Sequence, residues 1–307
     1  MSNAIDVSIV IAAWNAQSFI STAINSALSQ KGVSVEVIVV DDASTDSTCE
    51  VVESISDSRV RLLRSEKNGG PGAARNIGFA AAKGKWIAVL DSDDSMKLNR
   101  LKNMLDKAPI DADILIDNFC ELYSDGIVSN PFYSNAELPL GKLNLSFLIK
   151  TNLVFTRIKS TGYVKPLFKN EFVKDNKIKY WPEVRIGEDY YFLANCLAQG
   201  ANAEVLNEAG YIYTIRAGSI SSNLNIEHID KLLNFDKKFT QEYHLSDLEV
   251  SAQKIRSENL KRAFHYLVLV EQIKERRILP AALTMVNNLS SALLLMLPIK
   301  KRLLFWK

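Results

Sequence analysis

The sequence predicts an α/β protein in which helices flank a central, mostly parallel sheet and a helical extension follows at the C-terminal end. Two observations predict it. Short β-rich apolar runs alternate with helix-periodic stretches through the first hundred residues, which is how βαβ units around a parallel sheet read. Residues 226 to 277 are charged and place Ile229, Leu232, Leu233, Phe235 and Phe239 on one side at helical spacing.

In chain order, strands are expected at Val7–Ala12, Val35–Val40, Val60–Leu63 and Trp86–Leu90. After the first, Phe19, Ile20, Ala23, Ile24, Ala27 and Leu28 recur with a helical period. Ser47 with Glu50 reads as a capping box opening a second helix, and Pro71 suits the first turn of a third that runs through "GAARNIGFAAA". From residue 111 the alternation fades. "ADILIDNFCELY" reads as a further strand, "SDG" as a turn, and the stretch to residue 185 is mixed and turn-rich. A helix starts near Glu188, with short strands at Ala203–Leu206 and Tyr211–Ile215. Three regions follow, 1–110, 111–222 and 223–307, with no internal repeat or low-complexity tract.

A chain of 307 residues buries a sizeable core, and 47% apolar with 23% charged residues fits a globular protein. Its 37 basic and 35 acidic residues give a net charge of +2, too little for a general nucleic-acid field. Cys49, Cys120 and Cys196 lie far apart without C-x-x-C spacing, which fits a reduced compartment. The N-terminal run "VSIVIAA" is too short for a secretory signal and Asp6 interrupts it, so the expectation is a cytoplasmic protein.

In a parallel sheet, ligands bind beyond the carboxyl ends of the strands, where helix N-termini add positive partial charge. The first strand ends in Ala13, Trp14 and Asn15, the second in Asp41, Asp42 and Ser44, and the fourth in "DSDD", Asp91 to Asp94. Asp41 or Asp42 can accept from a base N–H or a ribose hydroxyl, and Trp14 offers a stacking face. Asp91 and Asp93 fall on one side of an extended segment, and carboxylates so crowded call for a cation. With no His or Cys nearby, the oxygen donors favour Mg2+ or Mn2+ sharing its shell with phosphate. The implied ligand is a nucleoside diphosphate.

Each feature also has a plainer reading. Three Asp after a strand can be a turn, with Asp94 or Ser95 capping the helix that carries Leu98, Leu101 and Leu105. "DDASTDS" can be an Asx-rich turn, and Trp14 by itself is more often core. Their joint placement favours a site. "NGGPGAARNIG", residues 68 to 78, adds a tight loop that a ligand can approach closely, with Arg75 one helical turn in, facing base or phosphate. Its spacing is neither G-x-G-x-x-G nor a Walker A motif.

Taken together, "VSIVIAAWNA", "VIVVDDASTDST", "NGGPGAARNIGFAAAKGKWIAVLDSDD" and "GEDYYF" resemble the bacterial family 2 glycosyltransferases, enzymes of GT-A fold, over residues 5 to 100 and more sparsely to about residue 222. The resemblance implies an inverting enzyme that moves a hexose from a nucleoside-diphosphate sugar, a UDP-sugar foremost, to a hydroxyl of a growing exopolysaccharide, lipopolysaccharide or capsule precursor. Residues 1–110 would bind the nucleotide sugar, 111–222 the acceptor. By position, Ala12 and Trp14 match the strand end near the uridine, Asp41 or Asp42 the carboxylate on the uracil, and Arg75 an arginine near the base. Asp91 and Asp93 match the D-x-D, with Asp91 on ribose or metal, Ser92 beside it in the donor set, and Asp93 on the metal. Asp189 matches the general base and Glu188 its neighbour. In "YTIRAGSIS", Arg216 and Ser219 match residues facing the diphosphate. Ala12 and Trp14 depart from the Pro and Tyr common in the family.

The chemistry asks for a charge sink at the departing diphosphate, a base for the acceptor hydroxyl and a frame holding both sugars in line. Asp189 can equally be an acidic first-turn residue favoured by the helix dipole. Tyr190, Tyr191, Phe192 and Trp181 can stack on an acceptor sugar or belong to the core. Residues 278 to 299 carry no charge but are interrupted by Pro280, Asn287, Asn288 and Pro298, with "KERR" before and "KKR" after. That pattern suits an amphipathic helix on the cytoplasmic membrane surface, with Phe305 and Trp306 at the interface. A lipid-linked saccharide acceptor accords with it. Packing on the domain or on a second subunit in a homodimer is the other reading. A sugar nucleotidyltransferase or a non-catalytic nucleotide-sugar-binding protein would use the same sheet, but "AWNAQSF" lacks the basic glycine-rich loop of the former.

Overall fold

The computed structural model describes residues 4–216 and 224–296. Its first hundred residues build β1 (Val7–Ala13), α1 (Ile20–Leu28), β2 (Val35–Asp41), α2 (Thr48–Glu53), β3 (Val60–Arg64), α3 (Pro71–Ala81), β4 (Trp86–Val89), β5 (Ser95–Met96) and α4 (Arg100–Asp106). Then come β6 (Ile114–Leu122), β7 (Val128–Pro131), β8 (Gly141–Leu143), α5 (Leu145–Thr151), β9 (Leu167–Lys169), α6 (Asn170–Asp175), α7 (Glu188–Ala198) and β10 (Ala203–Thr214). The chain closes with α8 (Ile226–Glu242), α9 (Asp247–Lys274), α10 (Ile278–Asn287) and α11 (Leu289–Ala292).

The ten strands form one mixed sheet of order β3-β2-β1-β4-β9-β6-β10-β5, with β7 on β6 and β8 on β10. β1, β2, β3 and β4 pair in parallel, as do β6 and β10. Because β9 is antiparallel to both β4 and β6, these six strands share one direction, and β5, β7, β8 and β9 oppose it. All seven residues of β2 and six of seven in β1 are buried, as a strand covered on both faces requires. Helices α1 and α3 cover this part of the sheet.

Several local expectations change. β10 is one strand rather than two, because its pairing with β6 continues through register shifts between Val205 and Tyr211. The Ser47 cap does not form: Asp46 Oδ1 accepts from the Thr48 amide (3.0 Å) and its hydroxyl (2.5 Å) instead. Neither Asp94 nor Ser95 caps a helix. α4 begins at Arg100 behind Asn99, and Leu98 is exposed outside it.

By internal packing the chain divides into two compact units, 1–144 with 161–215, and 145–160 with 216–307. In the second, α5 and α8 pack on α9. There the buried Arg256 of α9 sets Nε 3.1 and 3.0 Å from the two oxygens of Asp236 on α8, and Nη1 2.7 Å from Asn152 Oδ1. The apolar run after residue 277 is not one helix: α10 and the turn containing α11 bend by 112° at Asn288, and no described helix is long and apolar enough to cross a membrane. Phe305 and Trp306 lie outside the described residues.

Candidate active site

The carboxyl ends of β1, β2 and β4 converge as parallel pairing demands. Asn15, with φ of 48°, donates its amide to Ser44 Oγ (2.9 Å), and its side-chain oxygen accepts from the Thr45 amide (2.8 Å), so the loops after β1 and β2 are laced together. Trp14 stands beside them, 55% exposed, and is therefore a surface ring rather than core. Ala12, two residues earlier, is half-buried.

The two candidate aspartates after β2 separate clearly. Asp42 accepts from the Gly69 amide (2.9 Å) and the Gly70 amide (2.7 Å), so its carboxylate is occupied in holding the "NGG" loop. Gly70, at φ 87°, also passes under the Arg185 guanidinium, leaving no room for a side chain. Asp41 accepts from the Ser44 amide through Oδ2 (3.1 Å), while its Oδ1 is buried without a hydrogen-bond partner. A buried carboxylate oxygen in that condition calls for a donor.

Arg75, one turn into α3, is engaged by carboxylates. Its guanidinium is 4% exposed and donates to Asp91 Oδ1 (2.7 Å), Glu188 Oε1 (2.9 Å) and Asp189 Oδ1 (2.8 Å), over the Tyr180 ring. Three carboxylates surround a group that is always charged, and they set its direction. Gly187, in the left-handed region at φ 76°, starts α7 so that Glu188 and Asp189 fall in its first turn and face this arginine. Tyr180 Oη donates to Asp189 Oδ1 (3.1 Å), and Lys165 Nζ donates to Asp189 Oδ2 and lies 2.6 Å from Asp91 Oδ2 as well. Burial opposes the charge on Asp91, but Lys165 and Arg75 outweigh it and hold its carboxyl well below the usual range. Burial, and then the charge of Asp189, pushes Glu188 up.

Asp94 is not the cap of α4, whose N-cap is Asn99. Its Oδ2 accepts from Tyr211 Oη (2.6 Å) and its Oδ1 from the Thr214 amide (2.8 Å), while Tyr211 Oη in turn accepts from the Asp91 amide (3.2 Å). Burial, with the charges of Asp91 and Asp93, raises its carboxyl to about 8. Burial is the larger cause; the part owed to Asp91 and Asp93 is what a divalent cation would relieve. Among the described residues no group of three or more His, Cys, Asp or Glu could hold a metal ion by itself. The donor set still fits Mg2+ or Mn2+, hard ions that take one or two carboxylates and complete their shell with phosphate and water. Both oxygens of Asp91 accept from cations, Oδ1 from Arg75 and Oδ2 from Lys165. Ser92 and Asp93, the next two positions, are half-buried.

Tyr190, Tyr191 and Phe192 are buried: Phe192 stacks on Tyr180 at 4.1 Å and meets Phe79 edge-on, and Tyr191 stacks on the buried Trp181. They are core and not an acceptor platform. Arg216 is exposed and begins the second unit, and Ser219 lies outside the described residues. Sequence reading missed Lys165, Tyr180 and Arg185. Of these only Tyr180, next to "WPE", carried a signal as part of an aromatic pair before the "GEDYYF" helix.

Comparison with known proteins accords with this geometry. The profile described as Glycosyl transferase family 2 matches residues 8–168. The chain is 43% identical over 300 residues to the succinoglycan biosynthesis protein ExoO of Rhizobium meliloti strain 1021, a match covering 97% of this chain and 86% of that protein. It is 30% identical over 217 residues to the Escherichia coli UDP-Glc:alpha-D-GlcNAc-diphosphoundecaprenol beta-1,3-glucosyltransferase WfaP, covering 71% and 80%. The structure of S. aureus TarS in complex with UDP-GlcNAc superposes with a TM-score of 0.65 at 24% identity, covering 85% of this chain and 73% of that one, a likeness of GT-A fold.

Proposed function

The chain belongs to glycosyl transferase family 2 and is a glycosyltransferase of polysaccharide biosynthesis, and from that premise we propose that it moves a hexose, with inversion, from a UDP-sugar to a hydroxyl of a growing saccharide. The observation that carries the reading is the joining of Asp91, at the donor end of β4, to Asp189, at the start of α7, by two shared cations. Donor and base are thereby held in one frame.

In this reading Asp41 Oδ1 accepts the N–H of the base and Trp14 covers its face. Asp93 holds the divalent ion, which when bound offsets charge on the diphosphate. Asp189 takes the proton from the acceptor hydroxyl. The acceptor oxygen forms its bond to the anomeric carbon as the bond from that carbon to the phosphate oxygen breaks, and the diphosphate leaves with the electron pair. A single displacement inverts the centre.

The acceptor in this proposal is a lipid-linked saccharide met at the inner membrane surface. Ile278, Leu279, Leu283, Val286, Leu289 and Leu293 are between 59% and 79% exposed along α10, α11 and the turn after it. An apolar strip of that kind marks an interaction surface. From Arg276 to Lys307 the sequence has basic residues and not one Asp or Glu, which favours an anionic bilayer as the partner.

The test is UDP release from a panel of UDP-sugars with Mn2+ and then with chelator. Asp189→Asn is expected to keep donor binding and to lower turnover by about 100-fold or more. Full activity in that variant, or release indifferent to chelator and to Asp93→Asn, would remove the reading.

A further inference from the structure

We propose that Lys165 is a positioning residue that fixes the base Asp189 relative to the donor-side carboxylate Asp91; the inference rests on the transferase reading above. Its Nζ lies 2.6 Å from Asp91 Oδ2 and 2.6 Å from Asp189 Oδ2. Arg75 makes the matching contacts to the other oxygen of each, 2.7 Å to Asp91 Oδ1 and 2.8 Å to Asp189 Oδ1. Two carboxylates and two cations therefore alternate in a closed ring, and each carboxylate has one oxygen on each cation. With one contact a carboxylate can still turn about its own axis; with two its plane is set.

Lys165 comes to the cluster from the start of β9, a strand that runs opposite to β4, which leads into Asp91. β9 runs antiparallel to β4 with Ala88 opposite Leu167, so the register carried two residues further sets Lys165 opposite Leu90, immediately before Asp91. Pro166 stiffens the link between Lys165 and β9. The Lys165 carbonyl accepts from Arg100 Nη2 (2.5 Å), and that guanidinium pairs with Asp117 at 2.9 and 2.7 Å, both side chains fully buried. Lys165 thus has a rigid seat. A lysine 7% exposed at its side chain and bonded to both carboxylates has little freedom to do anything but space them.

The charge count points the same way. Asp91, Glu188 and Asp189 would face Arg75 alone without this lysine, and a diphosphate would bring further negative charge. Lys165 is the cation that lets base and donor approach one another.

The test uses the full-length protein and the UDP-sugar that turns over fastest in the panel above, with Mn2+. In Lys165→Met, kcat is expected to fall about 10-fold to 100-fold while the donor KM changes by less than about threefold, since a misplaced base slows the step without emptying the donor site. Lys165→Arg, which restores the charge, is expected to regain most of the loss. In an Asp189→Asn background, Lys165→Met is expected to add little further loss, because the base it positions is gone. Wild-type turnover in Lys165→Met overturns the proposal. So does an equal loss in the Met and Arg variants with both unfolding at lower temperature, or full multiplication of the Lys165 and Asp189 effects. Failure of the transferase reading looks different: Asp189→Asn would then release UDP at the wild-type rate whatever stands at position 165.

Discussion

Asp94 is the residue whose ionisation separates the folded from the unfolded chain most plainly. Burial and the charges of Asp91 and Asp93 raise its carboxyl from the ordinary 3.8 to about 8, so the folded protein holds that proton more tightly than the unfolded chain does. Its contribution is complete below about pH 4 and is lost as pH rises to about 8, a slope of at most about 1.4 kcal/mol per pH unit. Melting temperatures in chelator are expected to fall across that window. Asp94→Asn, which can accept from the Thr214 amide and donate to Tyr211 Oη, is expected to flatten the fall and to melt higher than wild type above pH 8. At this scale the sequence named Asp91, Arg75, Glu188 and Asp189, and the fold brings all four into contact. It could not choose between Asp41 and Asp42, because the choice lies in which backbone amides reach each one. Lys165 was invisible for a related reason: a lone lysine in a turn-rich stretch has no pattern, and only the antiparallel register of β9 gives it one.

Among the elements, the most exacting contact of the second unit joins α8 to α9 through Asp236 and Arg256, buried at 3.0 to 3.1 Å. Asp236→Ala would leave the buried guanidinium without the carboxylate that faces it, and is expected to destabilise by about 3 to 5 kcal/mol. Urea unfolding followed by circular dichroism should show it as a shifted midpoint for the helical signal. The strands that could be read in advance are those with apolar or β-branched runs, β1, β2, β3, β4 and β6. β9 could not, since three residues after a turn-rich stretch carry no period. β10 could be read only in halves, because Asn207 to Gly210 break the apolar pattern while tertiary pairing to β6 carries the strand through. The helix expected over 278 to 299 bends instead at Asn288, whose φ of −135° and ψ of 60° cannot continue a helix.

For the whole molecule, the exposed strip on α10 and α11 leads to a solution measurement. The protein is expected to sediment with vesicles containing anionic lipid and to stay in the supernatant with neutral ones, and Leu283→Glu with Val286→Glu should abolish the effect without changing the UDP-release rate of the free enzyme. Binding that ignores lipid charge, or a strip that closes in a stable dimer by light scattering, would count against a bilayer partner. The α/β class and the GT-A sheet were legible because their long central strands alternate with helices in the sequence itself. The division into compact units was not, since nothing local in residues 145–160 says that α5 belongs with helices a hundred residues further on. That interleaving has a consequence for anyone dissecting the protein: the helical part is no detachable cassette. A cut at residue 216 would strip α9 from α5 and leave Leu148 and Ile149 bare to water on the surviving fragment, so neither piece inherits an intact interior.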